Sequence, residues 1–324
     1  MILILSNKWD LTVDFVVAEL RSRGSNFIRF NTEDLASGRA TICLPDLRIL
    51  VSKHGRVHDL TRDINVIWYR RPGKPFDDIP TGERPSLATQ NFVNDQWYSW
   101  LEAIQLIPNI TWINHPKAND AIENKARQLL IASKLGFEIP ETVITNDKND
   151  AIRLAQEHDN YLIAKALYSP LIEEPDEDFF VFTNIINDVD LLREEEMRVS
   201  PTIFQQALVP KIDYRVTVVG QRVFAVRIER LNEKPLQTDW RMEKDDLRFL
   251  PCNLPPDVDI LCQRYVDECD LLFGAIDLVQ HEEKFFFLEI NPNGEWGWLQ
   301  KPNNIPIAET LCDLLIFYDT KDGA

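Results

Sequence analysis

A chain of 324 residues, 44% of them hydrophobic, can bury two or three subdomains, and none of its apolar runs approaches the roughly 20 residues of a bilayer-spanning helix. Its 35 Lys and Arg stand against 52 Asp and Glu, a formal charge of −17, which argues against an electrostatic nucleic-acid binder. The opening Met1-Ile2-Leu3-Ile4-Leu5-Ser6 lacks the basic flank of a signal peptide, and Cys43, Cys252, Cys262, Cys269 and Cys312 show no Cys-x-x-Cys spacing, so we expect reduced thiols and a cytoplasmic protein.

In chain order, residues 1–114 read as a small α/β unit. Strands are expected at 2–5 and 27–30, an amphipathic helix at 12–23 stopped by Gly24, and one or two hairpins within 39–58. The strand beginning at Val66 ends in Arg70-Arg71-Pro72. Surface charge is the plain reading of these arginines, for at least one of them, and a grip on phosphate or carboxylate is the other. A helix over 86–107 presents Val93, Trp97, Trp100, Leu101 and Ile104 on one face, a core-packing pattern.

Residues 115–204 form the second expected domain. A helix over 120–135 carries Asn124-Lys125 and is followed by Gly136-Phe137-Glu138-Ile139-Pro140-Glu141-Thr142. Lys165 lies in an apolar strand, 161–167, where its charge needs a partner such as a phosphate oxygen. A strand is expected at 179–186 and a helix at 188–196. The acidic stretches 173–178 and 194–196 are solvated surface by default, with contacts to a basic peptide segment as the other reading. Residues 168–182 contain no glycine.

The third expected domain, 205–324, opens within a strand at 202–209 that contains Gln206, Ala207 and Leu208. Residues 213–230 alternate and turn at Gly220-Gln221, so Arg215 and Arg227 face opposite sides of a hairpin. Asp239-Trp240-Arg241 interrupts a polar loop, and helices are expected at 257–270 and 307–317. Between them two apolar strands, 271–279 and 285–291, flank a polar turn. Glu289 and Asn291, two apart, point the same way with Ile290 turned inward, and the hairpin brings Asp277 beside them. Two carboxylates and an amide are hard ligands that suit Mg²⁺. Solvated hairpin acids are the plain alternative, weakened by the apolar strands around them.

Asp277, Glu289 and the Glu-x-Asn-Pro of 289–292, preceded by Asn124-Lys125 and the Gly-x-x-x-Pro-x-Thr of 136–142, resemble the ATP-grasp ligases. Trp-Tyr-Arg-Arg-Pro at 68–72, Asp-Trp-Arg at 239–241 and Glu-Ile-Asn-Pro-Asn-Gly-Glu-Trp at 289–296 resemble, within that superfamily, the graspetide (microviridin-type) synthetases. The resemblance covers nearly the whole chain. It implies an α/β (α+β) ATP-grasp fold behind an N-terminal pre-ATP-grasp domain, with ATP and Mg²⁺ as cofactors. The implied activity joins Asp or Glu side chains of a ribosomal precursor peptide, leader plus core, to Ser/Thr hydroxyls or Lys amines through an acyl phosphate. Lys125 and Lys165 would reach the nucleotide phosphates, and main chain around Gln206, Ala207 and Leu208 would read adenine. Asp213 would take the ribose hydroxyls, while Arg227 and Arg241 would stabilise the acyl phosphate. Asp277, Glu289 and Asn291 would hold the metal. Family lids usually carry glycines at the γ-phosphate, and 168–182 departs from that. No nucleic-acid or membrane partner is expected, and a homodimer is left open. Two alternatives accompany this reading: a ligase of the same fold that adds an amino acid such as glutamate, and a non-catalytic ATP- or peptide-binding module.

Overall fold

The computed structural model describes the chain except for residues 54, 169–170, 173–178, 232–239, 241–246 and 322–324, and gives backbone alone for 36–37, 301–302 and 321. Arg241, Asp239 and the acidic stretch 173–178 therefore lie outside the described residues. The chain divides into two compact units, residues 1–116 with 295–324, and residues 117–294.

In the first unit the strands are β1 (Ile2–Ser6), β2 (Phe27–Asn31), β3 (Ala40–Cys43), β4 (Arg48–Lys53), β5 (Arg56–Asp59), β6 (Val66–Tyr69) and β7 (Thr111–Ile113). A parallel sheet runs β2-β1-β6-β7. All of β1 is buried, as expected of a strand covered on both faces. The hairpins expected within 39–58 are the antiparallel β3-β4-β5 sheet. The helix Leu11–Ser22 starts at Asp10, whose carboxylate accepts from the N–H groups of Thr12 and Val13. Beyond its end, Gly24 has φ +67°, a conformation that favours glycine. Trp97, Trp100, Leu101 and Ile104 join this unit's core.

Residues 295–324, expected in the C-terminal subdomain, pack instead in this first unit. The helix Ile307–Lys321 buries Ile307, Leu311, Cys312 and Leu315 against the helix Leu11–Ser22 and strands β1 and β6. Arg70 is also internal: it is 1% exposed and pairs with Asp10 at 3.1 Å and Glu295 at 3.0 Å. A buried guanidinium requires such partners. Arg71, more open, pairs with Glu295 as well.

The second unit holds β8 (Thr142–Thr145), β9 (Leu162–Lys165), β10 (Leu171–Ile172), β11 (Phe179–Phe180), β12 (Asn184–Ile186) and β13 (Thr202–Gln206), then β14 (Ile212–Val219), β15 (Arg222–Arg230), β16 (Leu247–Cys252), β17 (Phe273–His281) and β18 (Lys284–Asn291). Two antiparallel sheets dominate it, β12-β9-β13-β8 and β16-β15-β14-β17-β18. The helix Lys148–Glu157 packs on the smaller sheet. The helices Lys125–Leu135 and Pro256–Glu268 bury one face of the larger, against Tyr214, Val216, Ile276, Leu278 and Phe287.

The strand expected at 179–186 is split into β11 and β12, and the helix expected at 188–196 shrinks to the turn Val189–Leu191 and the short Glu194–Met197. In the latter, Glu194 pairs with Arg198 and Glu196 with Arg193, all exposed, so this acidic stretch is locally compensated. Burial pushes the thiols of Cys269 and Cys312 up to about 12, well above the range in which they react as thiolates. Among the described residues no helix is long and apolar enough to cross a membrane.

Candidate active site

The metal-ligand expectation rests on strand register. Asp277 of β17 pairs with Glu289 of β18, and Ala275 with Asn291. A bulge follows Asp277, so that Leu278 pairs with Phe287 and Leu288 is the extra residue. Asp277, Glu289 and Asn291 share one face, while Ile290 enters the core on the other. Like charges directly opposite each other on a sheet repel, and each acid here has a cation. Arg215, the β14 partner of Asp277, donates to its Oδ1 at 2.8 Å. Lys125 lies 3.2 Å from the Glu289 carboxylate. Asn291 Oδ1 accepts from the N–H of Asn293 at 2.9 Å.

Gly294 makes room for the arginine. A Cβ at that position would stand 2.6 Å from Arg215 Nη2 and 2.3 Å from the Ala275 Cβ, closer than real contacts allow.

The other expected site residues come from both sheets and from the helix that covers the larger one. Lys125 opens the helix Lys125–Leu135, whose N-cap Asn124 accepts from the N–H of Arg127 at 3.0 Å. Lys165 ends β9 and Gln206 ends β13. The N–H of Ala207 is taken by the Tyr161 carbonyl at 3.3 Å, and Leu208 is 6% exposed. Asp213 sits on β14 with its carboxylate gripped by Lys211 Nζ at 2.7 and 2.8 Å.

One cleft of about 490 Å³ gathers most of these groups: Lys125, Lys165, Gln206, Leu208, Asp213, Asp277, Glu289 and Asn291 all line it. Apolar walls come from Ile163, Val279 and Leu288, the common make-up of a small-molecule site with a few convergent polar groups. The glycine-free segment adds Tyr168, Phe180 and Val181, so it lines the cleft with aromatic and branched side chains. The Glu123 carboxylate, which accepts from the Tyr168 hydroxyl at 3.2 Å, raises that phenol above its ordinary value.

Arg227 stands apart from these groups. It pairs across the hairpin with Tyr214, a residue of the core face, and its guanidinium meets Glu229, which also holds Arg248 at 2.8 Å. It does not line the cleft. Arg215 lies instead on the face of Asp213 and Asp277. A signal for this was present, since Asp213 and Arg215 are two residues apart on one strand and must share a face. Lys211 was also missed, though the same alternation in Lys-x-Asp-x-Arg points to it. Arg241 lies outside the described residues, but its neighbour Trp240 lines the cleft and meets the Phe249 ring edge-on at 6.0 Å.

Among the described residues no three or more His, Cys, Asp or Glu side chains group to hold a metal ion. Two carboxylates and an amide, beside two lysines, instead fit a hard divalent cation that completes its coordination with phosphate and water.

No family model matches the chain. The fold is similar to that of a RiPP-associated ATP-grasp ligase of Chryseobacterium gregarium, solved with ADP and a leader and core peptide. That likeness has a TM-score of 0.85 and 27% identity over 100% of this chain and 97% of that one. The macrocyclase MdnC of Microcystis aeruginosa, bound with the precursor peptide MdnA, matches with a TM-score of 0.83 and 22% identity over 97% of this chain and 99% of the other. A tetrahydromethanopterin:alpha-L-glutamate ligase of Methanocaldococcus jannaschii is 24% identical over 216 residues, 64% of this chain and 70% of that protein. With the two-sheet cleft and its Glu-x-Asn-Pro strand, these likenesses place the chain in the ATP-grasp superfamily, on the fold of its RiPP-associated, graspetide-type ligases.

Proposed function

We propose that this protein is an ATP-dependent, ADP-forming ligase that cross-links a ribosomal precursor peptide, joining Asp or Glu side chains to Ser/Thr hydroxyls or Lys amines as ω-esters or ω-amides. The observation that carries the reading is the cleft in which Lys125 and Lys165 meet the oxygen donors Asp277, Glu289 and Asn291. The full-length likeness to a ligase solved with ADP and a leader and core peptide supports the substrate class.

The roles follow from the positions. Lys125 and Lys165 hold the nucleotide phosphates, and the main chain at Gln206, Ala207 and Leu208 reads adenine. Asp213, oriented by Lys211, accepts from the ribose hydroxyls. Asp277, Glu289 and Asn291 hold Mg²⁺, which supplies charge neutralisation during phosphoryl transfer. Arg215 fixes the Asp277 carboxylate and adds positive charge to the same face. Arg241 keeps the grip on the reacting carboxylate that its resemblance implies. An acyl phosphate is the species that the hydroxyl or amine attacks. Free cysteines and dependence on ATP support a cytoplasmic setting.

Substitution Lys165→Met keeps the apolar stem and removes the ammonium. We expect ATP affinity to fall about tenfold or more, the scale of a charged hydrogen bond, with precursor affinity unchanged in calorimetric titrations. Unchanged ATP affinity would make Lys165 a structural lysine.

The likeness to a glutamate ligase favours one second reading, addition of an amino acid to an acceptor. ADP release decides between them. We expect it to depend on a precursor peptide whose core carries Asp or Glu beside Ser, Thr or Lys and to be indifferent to free glutamate; the reverse dependence supports the second reading.

A further inference from the structure

Gln128 lies within the helix that begins at Lys125 and is 3% exposed. Its Nε2 donates to the carbonyl of Ile290 at 3.0 Å and to that of Ile122 at 2.7 Å. Its Oε1 accepts from the N–H of Ile290 at 3.1 Å. One carboxamide thus satisfies both main-chain groups of one strand residue, as a residue of a neighbouring strand would.

That service is needed because β18 is the last strand of its sheet, and buried main-chain groups on an end strand require partners. The main-chain carbonyl of Glu138 meets the same need for Phe287, accepting its N–H at 2.9 Å. The helix is itself pinned, since the buried Tyr265 hydroxyl donates to the Gln128 carbonyl at 3.1 Å. Ile290 is the residue between Glu289 and Asn291, so its peptide groups set the position from which both donor side chains leave the strand. Gln128 is also about one helical turn beyond Lys125.

We propose that Gln128 is a positioning residue of the metal site: its carboxamide clamps Ile290, holds Glu289 and Asn291 at the spacing a divalent cation needs, and ties them to the helix that carries Lys125. The inference rests on the metal reading given under Proposed function. Glutamine suits the role because it offers donor and acceptor together. Glutamate keeps only the acceptor, and methionine keeps neither at similar length.

The test is Mn²⁺ binding followed by electron paramagnetic resonance in saturating ADP, for wild type, Gln128→Met, Gln128→Glu and Glu289→Gln, with thermal unfolding recorded alongside. Supporting partners of metal ligands typically tune affinity by 10–100-fold, so we expect the Mn²⁺ Kd to rise about tenfold or more in both Gln128 variants. Their turnover should recover as Mg²⁺ is raised. Wild-type Mn²⁺ affinity in a folded Gln128 variant, or lost turnover that Mg²⁺ does not restore, overturns the proposal. If Gln128→Met fails to fold, Gln128→Glu carries the test. Should Glu289→Gln bind Mn²⁺ like wild type, the metal assignment itself fails; should it lose Mn²⁺ while the Gln128 variants keep it, only the clamp does.

Discussion

The double variant Asp277→Asn/Glu289→Gln is expected to lose roughly two orders of magnitude or more in turnover while keeping its fold. Both substitutions keep the shape of the side chain and remove its charge, so a divalent cation is held poorly and the charge of phosphoryl transfer is left uncompensated. The fold should survive because Asn can still accept from Arg215 where Asp277 does now, at 2.8 Å. The stability cost should be about 1–3 kcal/mol, the scale of a weakened charged hydrogen bond. Turnover and denaturant unfolding of the same preparation check both halves. Near-wild-type turnover in the folded double variant contradicts the assignment of the metal site.

Arg215 and Arg227 are expected to part company sharply. Arg215→Met takes from the Asp277 carboxylate, 8% exposed, the guanidinium that donates to it at 2.8 Å, and breaking a buried pair costs about 3–5 kcal/mol. Turnover should fall with it, and Arg215→Lys, which keeps the charge and loses the fork, should recover part of both. Arg227→Met removes one partner of a half-open pair whose acid, Glu229, keeps Arg248 at 2.8 Å. Its cost should stay below about 1 kcal/mol, as for most exposed pairs, with turnover little changed. Chemical denaturation and steady-state kinetics on the three variants provide the comparison. A folded, active Arg215→Met beside an inactive Arg227→Met would return Arg227 to the site.

Much of the site was legible because it depends on short-range pattern. Two apolar runs around a polar turn announce the β17–β18 hairpin, and period-two alternation puts Glu289 and Asn291 on one face. The bulge after Asp277 has no such mark, since Leu288 looks like any other apolar strand residue. Alternation also separated Arg215 from Arg227, yet it does not say which face meets the helices. That was decided by Tyr214 and Leu278, which the helix Pro256–Glu268 covers. Residues whose roles depend on distant partners were the hardest to read. Arg70 is buried because Asp10 and Glu295 converge on it from opposite ends of the chain. Gln128 resembles a surface glutamine until Ile290 is brought against it. The closing helix was expected at 307–317, but the amphipathic pattern of a helix does not name the sheet that covers it.

The most direct test of the central claim is the intact mass of the precursor peptide after incubation with this protein, ATP and Mg²⁺. We expect the loss of one water for each bond formed, matched by ADP released, and no loss with Glu289→Gln. An ADP yield with unchanged peptide mass, or a mass increased by an added amino-acid residue, would contradict the cross-linking account.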